Sequence, residues 1–252
     1  MIFIGICGAS GSGKSTLAEE LTRDLSKRCV VLQQDCYYKD QSHRPFEERV
    51  KINWDEPAIF DHDLLYQDVC DLMAGKSIRR RGYDYTRHAR NDTDEMIEPA
   101  DVLVLEGIHT FYDPRLLKKM FLRLYISVEP DICLLRRIQR DINERGRAID
   151  NISEQYLNTV KPMYDLYIRN YVKDADVVVM RGGKNARIVE ILCGYLRKQL
   201  DLLIIESTSG QAHPLPFRVG IASLPRRLDF LSQTAAEILR FLKKVLDEFP
   251  RT

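Results

Sequence analysis

Gly8–Ser15 reads GASGSGKS, and this stretch decides the fold, since it fits G-x-x-x-x-G-K-[ST] and lies between an apolar run, Ile2 to Cys7, and a helical pattern beginning at Lys14. Glycines let backbone N–H groups converge on phosphate oxygens, and a helix starting at the loop adds the positive end of its dipole. The pattern predicts strand, phosphate loop and helix in that order.

Working outward, further short apolar runs read as buried parallel strands: Cys29 to Gln33, Val102 to Leu105, Leu122 to Val128 and Asp176 to Met180. Helical periodicity fills the intervals, at Lys14 to Lys27, Asp61 to Met73, Pro114 to Met120, Pro130 to Glu144, Ser153 to Tyr171 and Asn185 to Leu200. The alternation predicts an α/β fold with a doubly wound parallel sheet and helices on both faces. Lys76 to Glu98 lacks helical period, carries many charges and has Asn91-Asp92 near its middle, so a hairpin or extended excursion is expected there, of the kind that covers substrates. Residues 1–200 form the expected main domain. Residues 201–252 form an expected C-terminal extension, with a linker from Glu206 to Arg227 and an extra amphipathic helix carrying Leu228, Leu231, Ala235, Ile238, Leu239, Leu242 and Leu246.

Composition limits the partners. The 252 residues hold 38 basic and 37 acidic side chains, a net charge of +1, which argues against a surface built for nucleic acid or anionic membrane. Cys7, Cys29, Cys36, Cys70, Cys133 and Cys193 form no C-x-x-C pair and read as reduced. The apolar start is too short for a signal peptide and no run approaches a membrane span, so the expected location is the cytoplasm.

The chemistry gathers where strands end. In the loop, Lys14 is expected to reach the β- and γ-phosphates of ATP, and the Ser15 hydroxyl to help hold Mg²⁺. Gly8, Ala9, Ser10, Gly11, Ser12, Gly13 and Thr16 complete the expected ATP-binding stretch. VLVLEG places Glu106 at the carboxyl edge of the sheet, a second candidate for the Mg²⁺ shell, although an acid after an apolar strand is ordinary by itself. QQDCYY places Asp35 at the same edge with Tyr38 nearby; a carboxylate there can orient an acceptor hydroxyl and take its proton, or simply cap a turn. RRIQRDINERGR carries Arg136, Arg137, Arg140, Arg145 and Arg147, which reads either as a phosphate-binding lid hinged at Gly146 or as a solvated helix paired with Asp141 and Glu144.

Taken in order, the phosphate loop, QQDCYY, NWDEPAIFD, YDYTRHAR, VLVLEGIHTFY, RRIQRDINERGR, EQYLNTVKP and ADVVVMRGG resemble the uridine kinase (uridine-cytidine kinase) family of P-loop kinases, from about Ile2 to Leu200. The resemblance implies the P-loop kinase fold and Mg²⁺-dependent phosphorylation of the 5′-hydroxyl of uridine or cytidine by ATP. It makes Asp35 the catalytic base, with Lys14 and Arg140 also catalytic, and gives Asp55 the ribose hydroxyls together with Arg137. Tyr83 and His88 match the base-contacting pair, although from position alone His88 is an exposed hairpin residue; Tyr85 and Trp54 match the aromatic wall. Arg147 and Gln155 match further nucleoside contacts, Arg140 and Arg145 a lid spanning about 136–147, and Lys184 a loop near the adenine. A homo-oligomer, tetramer or dimer, is the implied assembly. Trp54 stands for the family's usual Phe, Glu56 for its usual His, and the segment before ADVVVM lacks the common P-T-K-K-Y form. Two other readings stand beside it. One is a related kinase acting on another small alcohol such as a sugar phosphate, in the manner of phosphoribulokinase. The other is a non-catalytic nucleotide-binding regulator, against which Ser15, Asp35 and Glu106 are all present.

Overall fold

The computed structural model describes residues 1–209. In chain order the elements are β1 (Ile2–Gly8), α1 (Lys14–Leu25), β2 (Cys29–Gln33), α2 (Phe46–Arg49), α3 (His62–Met73), β3 (Ile78–Arg79), β4 (Tyr83–Asp84), β5 (Ala89–Arg90), β6 (Met96–Ile97), β7 (Val102–Gly107), α4 (Pro114–Leu117), β8 (Leu122–Ser127), α5 (Pro130–Arg145), α6 (Ile149–Gln155), α7 (Lys161–Leu166), β9 (Val177–Met180) and α8 (Ala186–Ser209). The five long strands form one sheet in the order β2-β7-β1-β8-β9, every pairing parallel. From β1 the chain winds to one side, through β2 and β7, and then crosses to β8 and β9 on the other. The expected doubly wound sheet is therefore present, and its switch point lies at the carboxyl ends of β1 and β7, where such sheets open a crevice.

Side-chain alternation explains why both faces of the sheet are covered. Ile2, Ile4 and Ile6 with Val102 and Val104 point to the face packed by Leu17 and Leu21 of α1 and by Leu192, Leu196 and Leu200 of α8. Phe3, Leu103 and Leu105 point the other way, against Leu65, Val69 and Leu72 of α3 and Leu116 of α4. At the carboxyl edge a third cluster, rich in aromatic rings, gathers Tyr38, Trp54, Phe60, Phe111, Tyr125 and Tyr171.

Several boundaries differ from the sequence expectation, each for a local reason. The helix expected over Ser153 to Tyr171 is interrupted: a π-helical turn, Tyr156–Val160, separates α6 from α7, and a 3₁₀ segment, Ile168–Asp174, follows. Pro162, just beyond the π turn, has no N–H to donate and so cannot sit in an uninterrupted helix. The helix expected to stop at Leu200 continues to Ser209, through Leu202, Leu203, Ile204 and Ile205 with no Gly or Pro in its way; the expected linker therefore begins as helix. The remainder of that linker and the expected Leu228 to Leu246 helix lie outside the described residues. The excursion at 76–98 is a pair of antiparallel ladders, β3 with β6 and β4 with β5. Its tip is Tyr85 to His88 rather than Asn91-Asp92, because the Asp84 carboxylate accepts from the Thr86 and Arg87 N–H groups and His88 takes a left-handed φ of 48°. Among the described residues no helix is long and apolar enough to cross a membrane.

Candidate active site

The phosphate loop is held tightly by its neighbours. Gly11 has φ 82° and a Cβ there would lie 2.3 Å from the Cys133 carbonyl; Gly13 has φ 99° and its Cβ would lie 2.7 Å from the Gly183 nitrogen. Both positions need glycine on two counts, left-handed backbone and close backbone approach. No side chain caps the first turn of α1, so its N–H groups are left for the loop. The Ser12 N–H and the Lys14 ammonium both donate to the Ala9 carbonyl, at 3.1 and 2.9 Å. The Ser12 hydroxyl is fully buried and has no hydrogen-bond partner among the described residues. An orphaned donor inside a ring of N–H groups fits an anionic oxygen.

Beside the loop, the Ser15 hydroxyl donates to Glu106 Oε1 at 2.9 Å. The sheet register makes this possible, setting Glu106 on β7 level with Ile6 of β1 and Gln33 of β2. Burial pushes the Glu106 carboxyl above its ordinary range, with the Lys14 charge opposing. Among the described residues no three His, Cys, Asp or Glu side chains converge on one point. An all-oxygen corner of one hydroxyl and one carboxylate suits Mg²⁺, which takes few protein ligands beside phosphate oxygens and water.

A cleft opens next to the loop. Its walls are Asp35, Tyr38, Trp54, Asp55, Tyr83, Tyr85, His88, Arg137, Arg140, Arg145, Arg147 and Gln155, together with Ser10 and Ile108. Every residue expected to bind the acceptor thus lines one cavity, assembled from four separate stretches of chain. Asp35 lies in the 3₁₀ turn after β2 and accepts from the Tyr85 hydroxyl at 2.9 Å. Tyr38 is wedged among Phe60, Tyr83 and Trp54, with ring centroids 4.5, 4.8 and 5.1 Å away. His88 stacks on Trp54 at 5.5 Å and 16°, and its Nδ1 lies 3.4 Å from the Tyr83 hydroxyl. Burial, aided by the Arg147 charge, pushes the His88 imidazole below its ordinary value, favouring the neutral ring. Asp55 is buried, accepts from the Thr159 hydroxyl at 3.2 Å, and burial raises its carboxyl against the pull of Arg137.

The arginine-rich segment is paired internally and also faces the cleft. Asp141 is completely buried and lies within ion-pair reach of Arg140 (2.8 Å), Arg145 (3.3 Å), Arg147 (3.3 Å) and Arg137 (3.8 Å). Burial favours protonation of Asp141, but the guanidinium groups outweigh it and the carboxyl is held below its ordinary range. Arg137 also donates to Ser10 Oγ and to Gln155 Oε1, both at 2.9 Å, which ties α5 to the phosphate loop. Gly146 ends α5 at a left-handed φ of 62° with open space around it, and the cap and Arg147 N–H groups both donate to the Asp141 carbonyl. Arg136 is exposed and lies beside Gly182 rather than in the cleft.

Of the expected ATP contacts Ser10 and Arg145 line the cleft, while the rest of the loop, Thr16 on α1 and Lys184, which is exposed in the turn after β9, stand outside it. The glycines of that turn, which close the ADVVVMRGG stretch, press on the loop: a Cβ on Gly183 would lie 2.1 Å from the Gly13 carbonyl. Sequence reasoning also passed over His109 and Gln34. His109 is buried, with Nε2 2.7 Å from the Asp55 carbonyl and Nδ1 3.0 Å from the Tyr171 hydroxyl, and its N–H donates to Gln34 Oε1 at 2.8 Å. The one available signal was the polar pair His109-Thr110 directly after a strand at the ligand edge.

Comparison with known proteins agrees with this geometry. Residues 3–187 match the model of the Phosphoribulokinase / Uridine kinase family. The chain is 44% identical to a uridine kinase of Bacillus cytotoxicus over 76% of its own length and 91% of that protein, and 40% identical to a uridine kinase of Clostridium perfringens over 79% and 96%. A solved phosphoribulokinase from Rhodobacter spheroides shares the fold with a TM-score of 0.52 at 15% identity, over 71% of this chain and 69% of that one. With a phosphate loop at the switch point of a parallel sheet and these matches over most of its length, the protein belongs to the Phosphoribulokinase / Uridine kinase family and is a P-loop kinase.

Proposed function

We propose that the protein transfers the γ-phosphate of ATP to the 5′-hydroxyl of uridine or cytidine, giving the nucleoside monophosphate and ADP. The observation that carries this reading is the cleft, in which the carboxylates of Asp35 and Asp55 share one cavity with Ser10 of the phosphate loop and an aromatic wall. In this reading the loop N–H groups and Lys14 hold the β- and γ-phosphates, while Arg140 and Arg145 offset the charge on the transferring group. Asp35 accepts the hydroxyl proton as the new P–O bond forms and the bond to ADP breaks. Ser15 and Glu106 would hold Mg²⁺, which supplies charge neutralisation at the phosphate oxygens. Asp55 and Arg137 grip the ribose, with Arg147 and Gln155 beside them. Tyr83, His88 and Trp54 face the pyrimidine; a neutral His88 offers one donor and one acceptor to the base edge.

Against a sugar phosphate acceptor stands the aromatic wall of Tyr38, Trp54, Tyr83 and His88, which suits a flat base rather than a second phosphate. Assembly into a homo-oligomer belongs to the same reading and is checked by light scattering. The test of function is a Mg²⁺/ATP screen over nucleosides and sugar phosphates with the product identified by mass. Uridine or cytidine monophosphate is expected, and ADP release dependent only on a sugar phosphate would overturn the acceptor assignment. Asp35→Asn is expected to cut turnover by roughly 10²- to 10⁴-fold and to leave ATP binding nearly unchanged.

A further inference from the structure

Tyr85 is expected from the sequence only as part of the aromatic wall, yet its contacts differ from those of the wall. Its hydroxyl donates to Asp35 Oδ2 at 2.9 Å, while its ring lies under the lid, with the Arg145 guanidinium carbon 3.7 Å from the ring centroid. Tyr83 packs edge-on against the same ring at 5.2 Å, but its own hydroxyl faces His88 instead. The two tyrosines are adjacent in space and address different partners.

A carboxylate turns easily about its last torsion, so a base attached to the chain by one such bond needs a third group to aim it. Among the described residues the hydrogen bond to Asp35 comes from Tyr85 and engages Oδ2, leaving Oδ1 free for an acceptor hydroxyl. Burial raises the Tyr85 phenol further above neutrality, which keeps it a donor. The cation over its ring limits how the ring can tilt, and Arg145 is itself fixed by the buried Asp141.

We propose that Tyr85 is a positioning residue for phosphoryl transfer, its hydroxyl fixing the rotation of the Asp35 carboxylate toward the acceptor and its ring seating Arg145 of the lid. One side chain then sets the base and the lid together, so the lid arginine and Asp35 come into place as a unit. This rests on the assignment of Asp35 as the base.

The experiment measures initial rates of the full chain with uridine and Mg²⁺/ATP for Tyr85→Phe, Tyr83→Phe and Asp35→Asn. Phe at 85 keeps the ring, and so the seat of Arg145, while removing only the hydroxyl. Expected is a fall of about tenfold in kcat, the loss of one charge-assisted hydrogen bond that acts in the transition state, with the uridine KM within about twofold of the parent. Tyr83→Phe should do the opposite, raising the uridine KM and sparing kcat. Three results would overturn the proposal: unchanged kinetics in Tyr85→Phe, a raised uridine KM at full kcat, or an equal kcat loss in both tyrosine variants. If Asp35→Asn turns over as fast as the parent, the base assignment itself fails. An inactive Asp35→Asn beside an unaffected Tyr85→Phe removes only the positioning role of Tyr85 and leaves Asp35 as the base.

Discussion

Replacing Asp141 by Asn takes away the anion around which the arginine cluster of α5 is built. The carboxylate is 0% exposed, and four guanidinium groups lie 2.8 to 3.8 Å from its oxygens. Removing one partner of a buried ion pair costs about 3–5 kcal/mol, because the remaining charge is left without compensation. Arg140, Arg145 and Arg147 retain 19–30% side-chain exposure and so some solvation, which argues for the low end, about 3 kcal/mol. For a folded unit of this size that is a drop of roughly 6–12 °C in Tm, read by scanning calorimetry of the full chain. Because Asp141 is held below its ordinary range, its contribution is present above the unfolded carboxylate value and is lost only as pH falls through the depressed folded value. The gap between parent and variant should therefore persist across about pH 5 to 8 and narrow only in stronger acid. The ATP KM should rise as well, since Arg140 and Arg145 lose their shared anchor. A Tm within 2 °C of the parent, roughly under 1 kcal/mol, together with an unchanged ATP KM would show that the arginines are held by something else.

Further perturbations probe the other supports of the site. Burial pushes His109 down to about 4, so between about 6.5 and 4 the unfolded chain binds a proton that the folded chain does not. Stability should accordingly fall by about 1.4 kcal/mol per pH unit in that window, and melting curves of His109→Gln should show a shallower pH slope; parallel slopes would refute the assignment. Gly183→Ala places a methyl against the Gly13 carbonyl and the Leu17 N–H. Overpacking against backbone costs about 1–3 kcal/mol, so the ATP KM should rise about tenfold while the uridine KM stays put, as read from paired substrate titrations. Thr159→Val keeps the shape and removes the donor to Asp55 Oδ2. Loss of about 1 kcal/mol corresponds to a uridine KM about fivefold higher with an unaltered ATP KM, and equal effects on both substrates would refute a role confined to the ribose side.

What sequence could disclose follows the reach of each interaction along the chain. The phosphate loop is local: its glycines, lysine and serine sit within eight residues, and the strand before it and helix after it show in their periods. Strand ends likewise placed Asp35 and Glu106 at the ligand edge without help from any relative. Asp55, Tyr83 and His88 had no such signal, and their place in the cleft came from resemblance. His109 lay beyond both approaches, because its partners are 54, 62 and 75 positions away and no spacing rule spans that distance. Asp141 was visible as a charge among arginines, but whether the helix face carrying it meets solvent or the loop depends on how α5 packs. Pro162 marks an interruption in the helix, but not the π form it takes at Tyr156–Val160, the turn that carries Thr159, whose hydroxyl bonds Asp55.

The two halves of the site are built of different materials. The donor half is mostly backbone: glycines at φ 82° and 99°, pinned by the Cys133 carbonyl on one side and the Gly183 nitrogen on the other, where even one added carbon collides. The facing cleft is walled mainly by side chains from the turn after β2, the loop before α3, the β4-β5 ladder and the α5–α6 region, none of which belongs to a strand of the five-stranded sheet. Under the proposed function, substitutions at positions such as Trp54 or His88 are expected to change the acceptor while leaving the loop undisturbed. A single family model covering both phosphoribulokinases and uridine kinases is what such a division produces. The same division explains how a chain with a net charge of only +1 can meet a triphosphate: four arginines share one buried Asp141, leaving a local surplus of positive charge beside the loop.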